Sequence, residues 1–302
     1  MNKKLLFLIN PYAGRAEIKS RLIEIIDLFV KNGFEVTVHT TQKPNEIPLI
    51  IRNRGSSFDV IAACGGDGTL NETINGVMTL SERPLIGYIP TGTVNDFADN
   101  LNIPVSMLEA AELIVSGEEY CLDIGELNSK YFAYVAAFGA FSHISYRTSQ
   151  QSKNIWGKAA YVFEGIRSLP SIKPIEVKYQ SAELSGEDEF ILGMVTNSSS
   201  VAGIHLQNLS DSSLSDGLLE VTLVKKPKNF SETQQILNSV LRQDMSAADS
   251  VILCKTDSIN FTFQKPAAWT TDGEYGGTVL SADISIKQQA VRFIGNREFI
   301  QA

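Results

Sequence analysis

Hydrophobic and polar positions follow two different patterns along this chain. Up to about residue 120, short apolar runs that predict buried strands take turns with amphipathic segments of helical spacing. Strands are predicted at 5–9, 34–40, 59–63 and 85–89, and helices at 18–29, at 44–54, from about 69 and after about 93. Strands that alternate with helices in this way form a mostly parallel sheet covered on both faces.

The pattern changes near residue 121, after which strands follow one another with few helices between them. Strands predicted at 122–127 and 131–136 flank Asn128 and Ser129, which favour a hairpin turn. Further strands are predicted at 175–179, 190–196, 218–224, 251–254, 259–263 and 284–286, with helices at about 156–168 and 229–241 and a long polar loop at 197–216. Because parallel strands need helical crossovers, we expect a mainly antiparallel sandwich or barrel here.

The change of pattern predicts two domains. An α/β domain is expected at 1–125 and a β-rich domain at 126–287. The C-terminal tail, about 288–302, is expected to pack back on the first domain.

Composition narrows the class of protein. Apolar residues make up 43% of the 302 positions and charged residues 20%, which is typical of a folded globular chain. The net charge of −8 argues against a nucleic-acid binder and against strong adhesion to an acidic membrane. Three cysteines that lie far apart indicate neither disulfides nor zinc, and they fit a reducing cytoplasm. The most apolar later stretch, 133–141, is too short to cross a bilayer.

The segment 65–72, GGDGTLNE, is the first candidate for chemistry. It follows a predicted strand and opens a predicted helix. Glycines let the backbone approach a ligand closely and a helix N-terminus attracts anions, so the segment predicts a phosphate site. Asp67 suits such a loop if a cation or a ligand hydroxyl lies beside it. The alternative is a tight strand–helix turn with a capping aspartate.

Two similar loops follow the first and fourth strands. They are 10–15, NPYAGR, and 90–98, PTGTVNDFA. Polar or flexible candidate contacts in these two loops are Asn10, Gly14, Arg15, Thr93 and Asn95. An amide, a glycine and a guanidinium suit phosphate binding, although the polar residues of the second loop can also cap the next helix. Open α/β sheets bind ligands at the carboxyl ends of their strands, which favours one shared site.

The order and spacing of NPYAG, GGDGTLNE and PTGTVNDFA resemble the catalytic domain of diacylglycerol kinases, a lipid kinase family that includes the sphingosine kinases. The resemblance extends over the whole chain and implies a Rossmann-like first domain of the kind found in NAD kinases and phosphofructokinases. It implies ATP and Mg²⁺ as cofactors and phosphoryl transfer to a lipid hydroxyl, with diacylglycerol giving phosphatidic acid. The nucleotide contacts that it implies are Asn10, Pro11, Gly14, Arg15, Thr41, Gly65, Gly66, Asp67, Gly68, Thr69, Asn71, Glu72, Thr93 and Asn95.

A late motif, 271–277 or TDGEYGG, places Asp272 and Glu274 one residue apart in a predicted turn. Either carboxylate could orient or deprotonate an attacking hydroxyl. The alternative is an Asp-Gly hairpin turn with an exposed glutamate. The resemblance implies Glu274 as the proton acceptor, with Asp272 close by and linked to a metal ion, and with Asp67 also at the catalytic site.

A second late motif, 213–218 or SLSDGL, centres on Asp216. A carboxylate with nearby carbonyl groups suits an oxygen-rich Mg²⁺ site. The resemblance implies Ser213 and Leu218 as main-chain ligands and Asp216 as a side-chain ligand. A plain Asp-Gly turn is the alternative.

The acceptor stays open between several lipids. Soluble bacterial members of the family carry basic residues where this chain has Asp99 and Glu164. A sphingoid base or phosphatidylglycerol is therefore an alternative acceptor. An NAD-kinase-like enzyme and a non-catalytic nucleotide-binding regulator are further alternatives, but the NDFA segment and the Asp272–Glu274 pair argue against them.

The partner expected from these features is a lipid substrate at the inner face of the membrane. We expect a cytoplasmic protein that touches the membrane transiently and peripherally, without nucleic acid. An exposed strand edge in the second domain is compatible with a homodimer.

Overall fold

A computed structural model describes residues 2–14, 18–93, 95–140, 172–197, 200–201, 204–205, 214–242 and 244–296. The chain divides into two compact units. The first comprises Met1–Leu122 together with Gln289–Ala302, and the second comprises Asp123–Gln288. The helix predicted at 156–168 and much of the polar loop at 197–216 lie outside the described residues.

The first unit is built on a parallel sheet with helices between its strands. The strands are β1 (Lys3–Ile9), β2 (Phe34–Thr40), β3 (Val60–Gly65) and β4 (Leu85–Pro90). The helices are α1 (Ile18–Lys31), α2 (Ile47–Arg54), α3 (Asp67–Val77), α4 (Asp96–Asn100) and α5 (Met107–Ser116). The strand order is β2-β1-β3-β4, and every neighbouring pair is parallel. The predicted alternation of strands and helices is confirmed.

Helix α2 starts three residues later than predicted. The expected start is Pro44, whereas the helix begins at Ile47. Asn45 has a φ of 60°, which a right-handed helix does not contain. The spacing that suggested an earlier start therefore belongs to the turn before the helix.

The end of the chain completes the sheet of the first unit. The last strand, β15 (Glu274–Gly295), pairs in parallel with β4 through Phe293 and Ile86. The Phe293 ring is fully buried, with its centroid 5.8 Å from that of Phe97 and 6.3 Å from that of Tyr120. Residues 289–295 are therefore part of the core of the first unit.

The second unit is rich in antiparallel strands, as predicted. Strand β5 (Glu118–Leu127) begins in the first unit and continues into the second. The other strands of the second unit before β15 are β6 (Lys130–Phe132), β7 (Val135–Gly139), β8 (Ile175–Gln180), β9 (Ser185–Thr196), β10 (Ser200–Val201), β11 (Ile204–His205), β12 (Leu219–Lys225), β13 (Val251–Thr256) and β14 (Ser258–Thr271). The main strand order is β13-β12-β9-β7-β14-β15. One described helix, α6 (Phe230–Leu241), follows β12. The expectation of an α/β domain followed by a mainly antiparallel β domain is confirmed.

The core of the second unit is aromatic. The Trp269 ring is fully buried, and its centroid lies 4.9 Å from that of Phe138 and 5.6 Å from that of Phe261. Phe263 packs edge-on against Phe138 with the centroids 5.2 Å apart. These rings come from β7 and β14, so they fix the strand that leads into the 271–277 motif.

The strand predicted at 131–136 is wrong as a single element. The chain forms β6 and β7 instead, with Ala133 and Tyr134 between them. The amides of these two residues donate to the carboxylate of Asp272 rather than to a neighbouring strand. Within the described part of the chain, no helix is both long and apolar enough to span a membrane.

Candidate active site

Three loops leave the carboxyl end of the sheet in the first unit. They are residues 10–14 after β1, residues 66–69 at the start of α3 and residues 91–95 after β4. Strand β3 lies between β1 and β4 and is parallel to both. The ends from which the three loops leave are therefore at one edge of the sheet, which is where α/β sheets bind ligands.

Hydrogen bonds connect these three loops. Asn10 Nδ2 donates to Thr69 Oγ1 over 3.2 Å, which joins the first loop to the second. The amide of Thr91 donates to the carbonyl of Gly65 over 2.8 Å, which joins the third loop to the end of β3. The loops that the sequence separates by dozens of residues therefore form one cluster.

Two glycines allow the backbones of the loops to approach one another. A Cβ atom on Gly92 would lie 2.5 Å from the Cα atom of Gly66. A Cβ atom on Gly14, whose φ is 54°, would lie 2.1 Å from the carbonyl oxygen of Thr91. Both distances are far below van der Waals contact, so only glycine fits at positions 14 and 92 with the loops in this arrangement.

Helix α3 directs its N-terminus at the same edge. Its N-cap residue is Gly66, which has no side chain with which to cap the first turn. The partial positive charge of a helix N-terminus, together with its main-chain N–H groups, suits a phosphate or another anion. Gly68 and Thr69 belong to this first turn, as the predicted phosphate site requires.

The Asp67 side chain bridges two helices. Its Oδ1 atom accepts a hydrogen bond from the amide of Phe97 over 3.2 Å. Phe97 is in the first turn of α4, so Asp67 caps that helix although it sits in the first turn of α3. The capping aspartate offered as an alternative by the sequence is thus present, but the helix that it caps comes from the next loop.

Asn95 and Tyr88 hold the third loop in shape. Asn95 has a φ of 53°, and its Oδ1 atom accepts from the amide of Gly92 over 3.0 Å. The Tyr88 hydroxyl lies 3.2 Å from the carbonyl oxygen of Gly65 and bonds it. Burial raises the pKa of Tyr88 well above its usual value, and the charge of Asp67 adds to this shift. Tyr88 therefore stays a neutral hydrogen-bond donor.

Glu72 and Thr41 have partners in the fold of the first unit. Glu72 Oε1 accepts from the amide of Asn45 over 2.9 Å, and so it anchors the turn before α2. Thr41 is buried just beyond β2, and its amide donates to the carbonyl of Ile9 over 2.8 Å. Their contacts with a nucleotide stay predictions.

The other predicted nucleotide contacts are spread over the same loops. Pro11 is half-buried in the first loop, Thr93 is exposed in the third, and Asn71 lies in the first half of α3. Arg15 lies outside the described residues.

The loop before β12 contains the predicted metal ligands of the second unit. Asp216 Oδ1 accepts from the amide of Leu218 over 3.0 Å. Gly217 has a φ of 77°, and its amide donates to Oδ2 of the buried Asp123 over 2.7 Å. Ser213 lies outside the described residues.

Asp123 was missed by the sequence analysis. The signal available was a charged residue inside the apolar run predicted as a strand at 122–127. Carboxylate and main-chain oxygens make this loop the type of donor set that Mg²⁺ prefers. Across the described residues, His, Cys, Asp and Glu side chains do not gather in threes at a possible metal site. Main-chain oxygens and water would therefore have to supply most ligands.

The 271–277 motif forms a tight hairpin. Thr271 pairs with Glu274 across the turn, and the two residues between them, Asp272 and Gly273, have φ values of 49° and 82°. Two positive φ values are characteristic of a type I′ turn, so the Asp-Gly hairpin proposed as an alternative is present. Glu274 is exposed at the start of β15, whereas Asp272 is buried.

The two carboxylates of this motif therefore have different surroundings. The oxygens of Asp272 accept from three successive amides, those of residues 133–135, over 2.7, 3.0 and 3.1 Å. Glu274 is open to solvent, and its side chain can meet a substrate. The sequence could not separate the roles of the two residues, because the partners of Asp272 lie more than 130 positions away.

Comparison with known families gives two consecutive matches. Residues 4–127 match the diacylglycerol kinase catalytic domain. Residues 135–295 match the YegS C-terminal NAD kinase beta sandwich-like domain. The three loops fall in the first match, and the late motifs with Asp216, Asp272 and Glu274 fall in the second.

Relatives and solved structures agree with these matches over nearly the full length. The chain is 32% identical to a diacylglycerol kinase of Staphylococcus carnosus, with 100% of this chain and 99% of that protein covered. It is 33% identical to one from Bacillus subtilis, with 91% of each chain covered. A crystal structure of a diacylglycerol kinase from Bacillus anthracis superposes with a TM-score of 0.82 at 26% identity, covering 98% of both chains.

Proposed function

The chain belongs to the diacylglycerol kinase family, and we propose that it transfers the γ-phosphate of ATP to the hydroxyl group of diacylglycerol, giving phosphatidic acid. The meeting of three glycine-bearing loops at one edge of the first unit's sheet carries this proposal. The names of the full-length relatives support diacylglycerol as the acceptor. A sphingoid base and phosphatidylglycerol are the alternative lipid acceptors.

ATP is assigned to the first unit. The main-chain N–H groups at the start of α3 and the closely packed backbone at Gly14 and Gly92 suit the phosphates. The hydrogen bond from Asn10 to Thr69 and the close approach of Gly66 to Gly92 support one shared phosphate site.

Mg²⁺ is the second cofactor in this assignment, and bound with ATP it would neutralise phosphate charge. The loop before β12 supports a separate ion that need not touch ATP, held by the Asp216 side chain and the Leu218 carbonyl, with Ser213 as a further main-chain ligand. Asp123, whose carboxylate already fixes Gly217, keeps this loop in shape.

Glu274 is assigned as the proton acceptor. As the acceptor oxygen bonds to the γ-phosphorus, the bond from that phosphorus to the bridging oxygen of ADP breaks, and the hydroxyl proton passes to the Glu274 carboxylate. Its exposure at the hairpin supports this role, because general bases must reach the proton that they remove. Asp67, at the start of α3, is assigned to the same reaction through the phosphate loop.

One assay tests the acceptor. Purified protein is given labelled ATP and Mg²⁺ with diacylglycerol, a sphingoid base and phosphatidylglycerol in mixed micelles, and with NAD in parallel. We expect label in phosphatidic acid. Label in another lipid would change the acceptor but keep the reaction class, and label in NAD alone would overturn the lipid kinase.

A substitution tests the base. We expect Glu274→Gln to leave the melting temperature unchanged and to reduce transfer by about 10²-fold or more, because an amide cannot take the proton. Glu176→Gln, an exposed glutamate on β8, is the matched control and should transfer at the normal rate. Near-normal turnover of Glu274→Gln would remove the proposed base.

The lipid is expected at a membrane surface, with transient and peripheral contact at the inner face of the membrane. The net charge of −8 and the exposed Asp99 support a brief rather than a tight encounter with acidic lipid. A homodimer is compatible with β13, which ends the sheet order among the described strands of the second unit.

A further inference from the structure

The turn that carries Glu274 has one geometric peculiarity. Its strand pairing shifts by one residue beside the turn, because Trp269 faces Gly277 while Thr270 faces Tyr275. Gly276 is the extra residue of this β-bulge. A bulge bends its strand and redirects the neighbouring side chains, so the direction of Glu274 depends on what holds the turn.

The first residue that fixes the turn is Asp272, at the N-terminal side of Glu274. Asp272 is 3% exposed, and its carboxylate accepts from the three amides of residues 133–135. Its own amide donates to the carbonyl of Val135 over 2.8 Å. A carboxylate that already accepts three charge-assisted hydrogen bonds is firmly held, and little of it is left for a substrate.

The second residue that fixes the turn is Lys130, which acts on the C-terminal side of Glu274. Lys130 Nζ donates to the carbonyl oxygen of Tyr275 over 3.0 Å and lies 5.4 Å from the centroid of the Tyr275 ring. The Tyr275 hydroxyl in turn bonds Thr278 Oγ1 over 2.8 Å. Hydrogen bond and cation–π contact together fix the residue that follows Glu274.

In both cases the groups that contact the hairpin belong to one short segment, residues 130–135. It contains β6 and the break between β6 and β7, where the predicted strand fails to continue. The break frees the amides that bind Asp272, while Lys130 at the other end reaches Tyr275. The segment therefore binds the hairpin on each side of Glu274, at Asp272 and at Tyr275.

We propose that Asp272 and Lys130 are positioning residues that fix the direction of the Glu274 carboxylate through the 130–135 segment. This inference rests on the proposed role of Glu274 as the base. It gives Asp272 a role different from that of a second catalytic carboxylate, and it adds Lys130, which no sequence motif indicated. A misdirected base slows the chemical step without changing how ATP binds.

Lys130 provides the cleaner test, because its side chain is exposed and its loss should not unfold the protein. We expect Lys130→Met to lower kcat by about tenfold to a hundredfold, as small displacements of reacting groups do, with the KM for ATP and the melting temperature unchanged. Lys130→Arg keeps the charge, the donor and the ring contact, so it should recover most of the activity.

Lys225→Met is the matched control. Lys225 is also a partly exposed lysine of the second unit, and its Nζ pairs with Asp188 Oδ2. It lies opposite Phe190 in β9, at the other end of that strand from Thr196, which faces Val135. Its loss removes a charge and a partner away from the 130–135 segment, so kcat should stay normal. An equal fall in kcat for Lys225→Met and Lys130→Met would overturn the positioning role.

Asp272→Asn tests the hydrogen bonds of the Asp272 carboxylate. The amide replaces one acceptor oxygen by a donor that faces main-chain N–H groups, so kcat should fall while the KM for ATP is kept. A folded Asp272→Asn protein with normal kcat would overturn the inference. If Asp272→Asn does not fold, the comparison of Lys130→Met with Lys130→Arg decides whether the positioning role stands.

The outcomes separate this inference from the proposed function. If Glu274→Gln is active, the assigned base falls and the positioning role falls with it. If Glu274→Gln is inactive while Lys130→Met and Asp272→Asn turn over normally, the kinase assignment stands and only the positioning role is lost.

Discussion

Glu220 shows how strongly the environment of one side chain can differ from what its residue type suggests. It is a charged residue in β12, yet it is only 2% exposed, and neither carboxyl oxygen has a hydrogen-bond partner in the described part of the chain. Lys255 Nζ lies 3.6 Å away. Burial raises the pKa of Glu220 to about 7, Lys255 opposes the rise and the charge of Asp216 adds to it.

The raised pKa predicts how stability depends on pH. In the unfolded chain Glu220 loses its proton near its ordinary pKa of 4.5, whereas the folded protein keeps it up to about 7. The contribution of Glu220 to stability is therefore full below pH 4.5 and falls by about 1.4 kcal/mol for each pH unit between the two pKa values. Above pH 7 stability stays lowered.

Glu220→Gln should remove this loss. We expect the difference in melting temperature, Glu220→Gln minus the unmodified protein, to increase as the pH is raised from 4.5 to 7. The measurement is made with EDTA present, so that no cation acts on the nearby Asp216. Glu176→Gln, at an exposed position, serves as the control and should show no such gain. Parallel melting curves for Glu220→Gln and the unmodified protein would contradict the buried, protonated carboxyl.

At the scale of elements, the sequence indicated each strand and helix of the first unit that carries a loop of the site. Apolar runs such as 5–9 are local signals, and glycines after them mark the loops. The break between β6 and β7 could not be predicted, because its cause is the side chain of Asp272, more than 130 positions away. Lys130 and Asp123 were hidden for the same reason, since only distant backbone groups reveal their roles.

The packing of the loops gives an element-scale prediction. Gly92→Ala places a Cβ atom 2.5 Å from Gly66, so the loops after β3 and β4 must separate. We expect ATP affinity, measured by equilibrium titration, to fall by about tenfold or more, which corresponds to about 1.4 kcal/mol.

Gly33→Ala is the control for this prediction. Gly33 has a φ of 83° with nothing within 4 Å of a Cβ, so the change strains the backbone at the end of α1 by about 1–2 kcal/mol without touching the loops. Stability should fall and ATP affinity should not. Normal affinity in Gly92→Ala would mean that the loops do not form the phosphate site.

The loop before β12 gives a second prediction at this scale. If Asp216 binds a cation, Mg²⁺ should raise the melting temperature of the unmodified protein, because an ion that binds only the folded state stabilises it. Asp216→Ala should lose that rise, whereas Asp249→Ala, at an exposed position in the same unit, should keep it. Identical melting with and without Mg²⁺ in the unmodified protein would exclude a structural ion.

At the scale of the whole molecule, the main feature is that the first unit is built from two separate parts of the chain, one before residue 123 and one from residue 289 onward. Residues 289–295 bring buried side chains and a strand pair to it, and Arg292 binds Glu119 over 3.0 Å and the carbonyl of Arg83 over 2.8 Å. The tail at about 288–302 was expected to pack back on the first domain. No local signal shows which strand it pairs with.

Phe293→Ala measures what the tail contributes. The ring is fully buried, so its loss should cost about 3–5 kcal/mol of stability. Phe230→Ala is the matched control, because that ring is 76% exposed at the start of α6 and its removal should change stability little. Equal melting temperatures for both variants would show that the tail is not part of the core.

The late arrival of that tail has a consequence for synthesis. Ile86 of β4 pairs with Phe293, so this edge of β4 stays without its partner until the residues around 293 have left the ribosome. An open strand edge is a template for wrong pairing, and nascent chains that expose one are prone to aggregate. The first unit is thus completed only after the whole second unit has been made, and a chain cut short before residue 289 would leave the first unit incomplete.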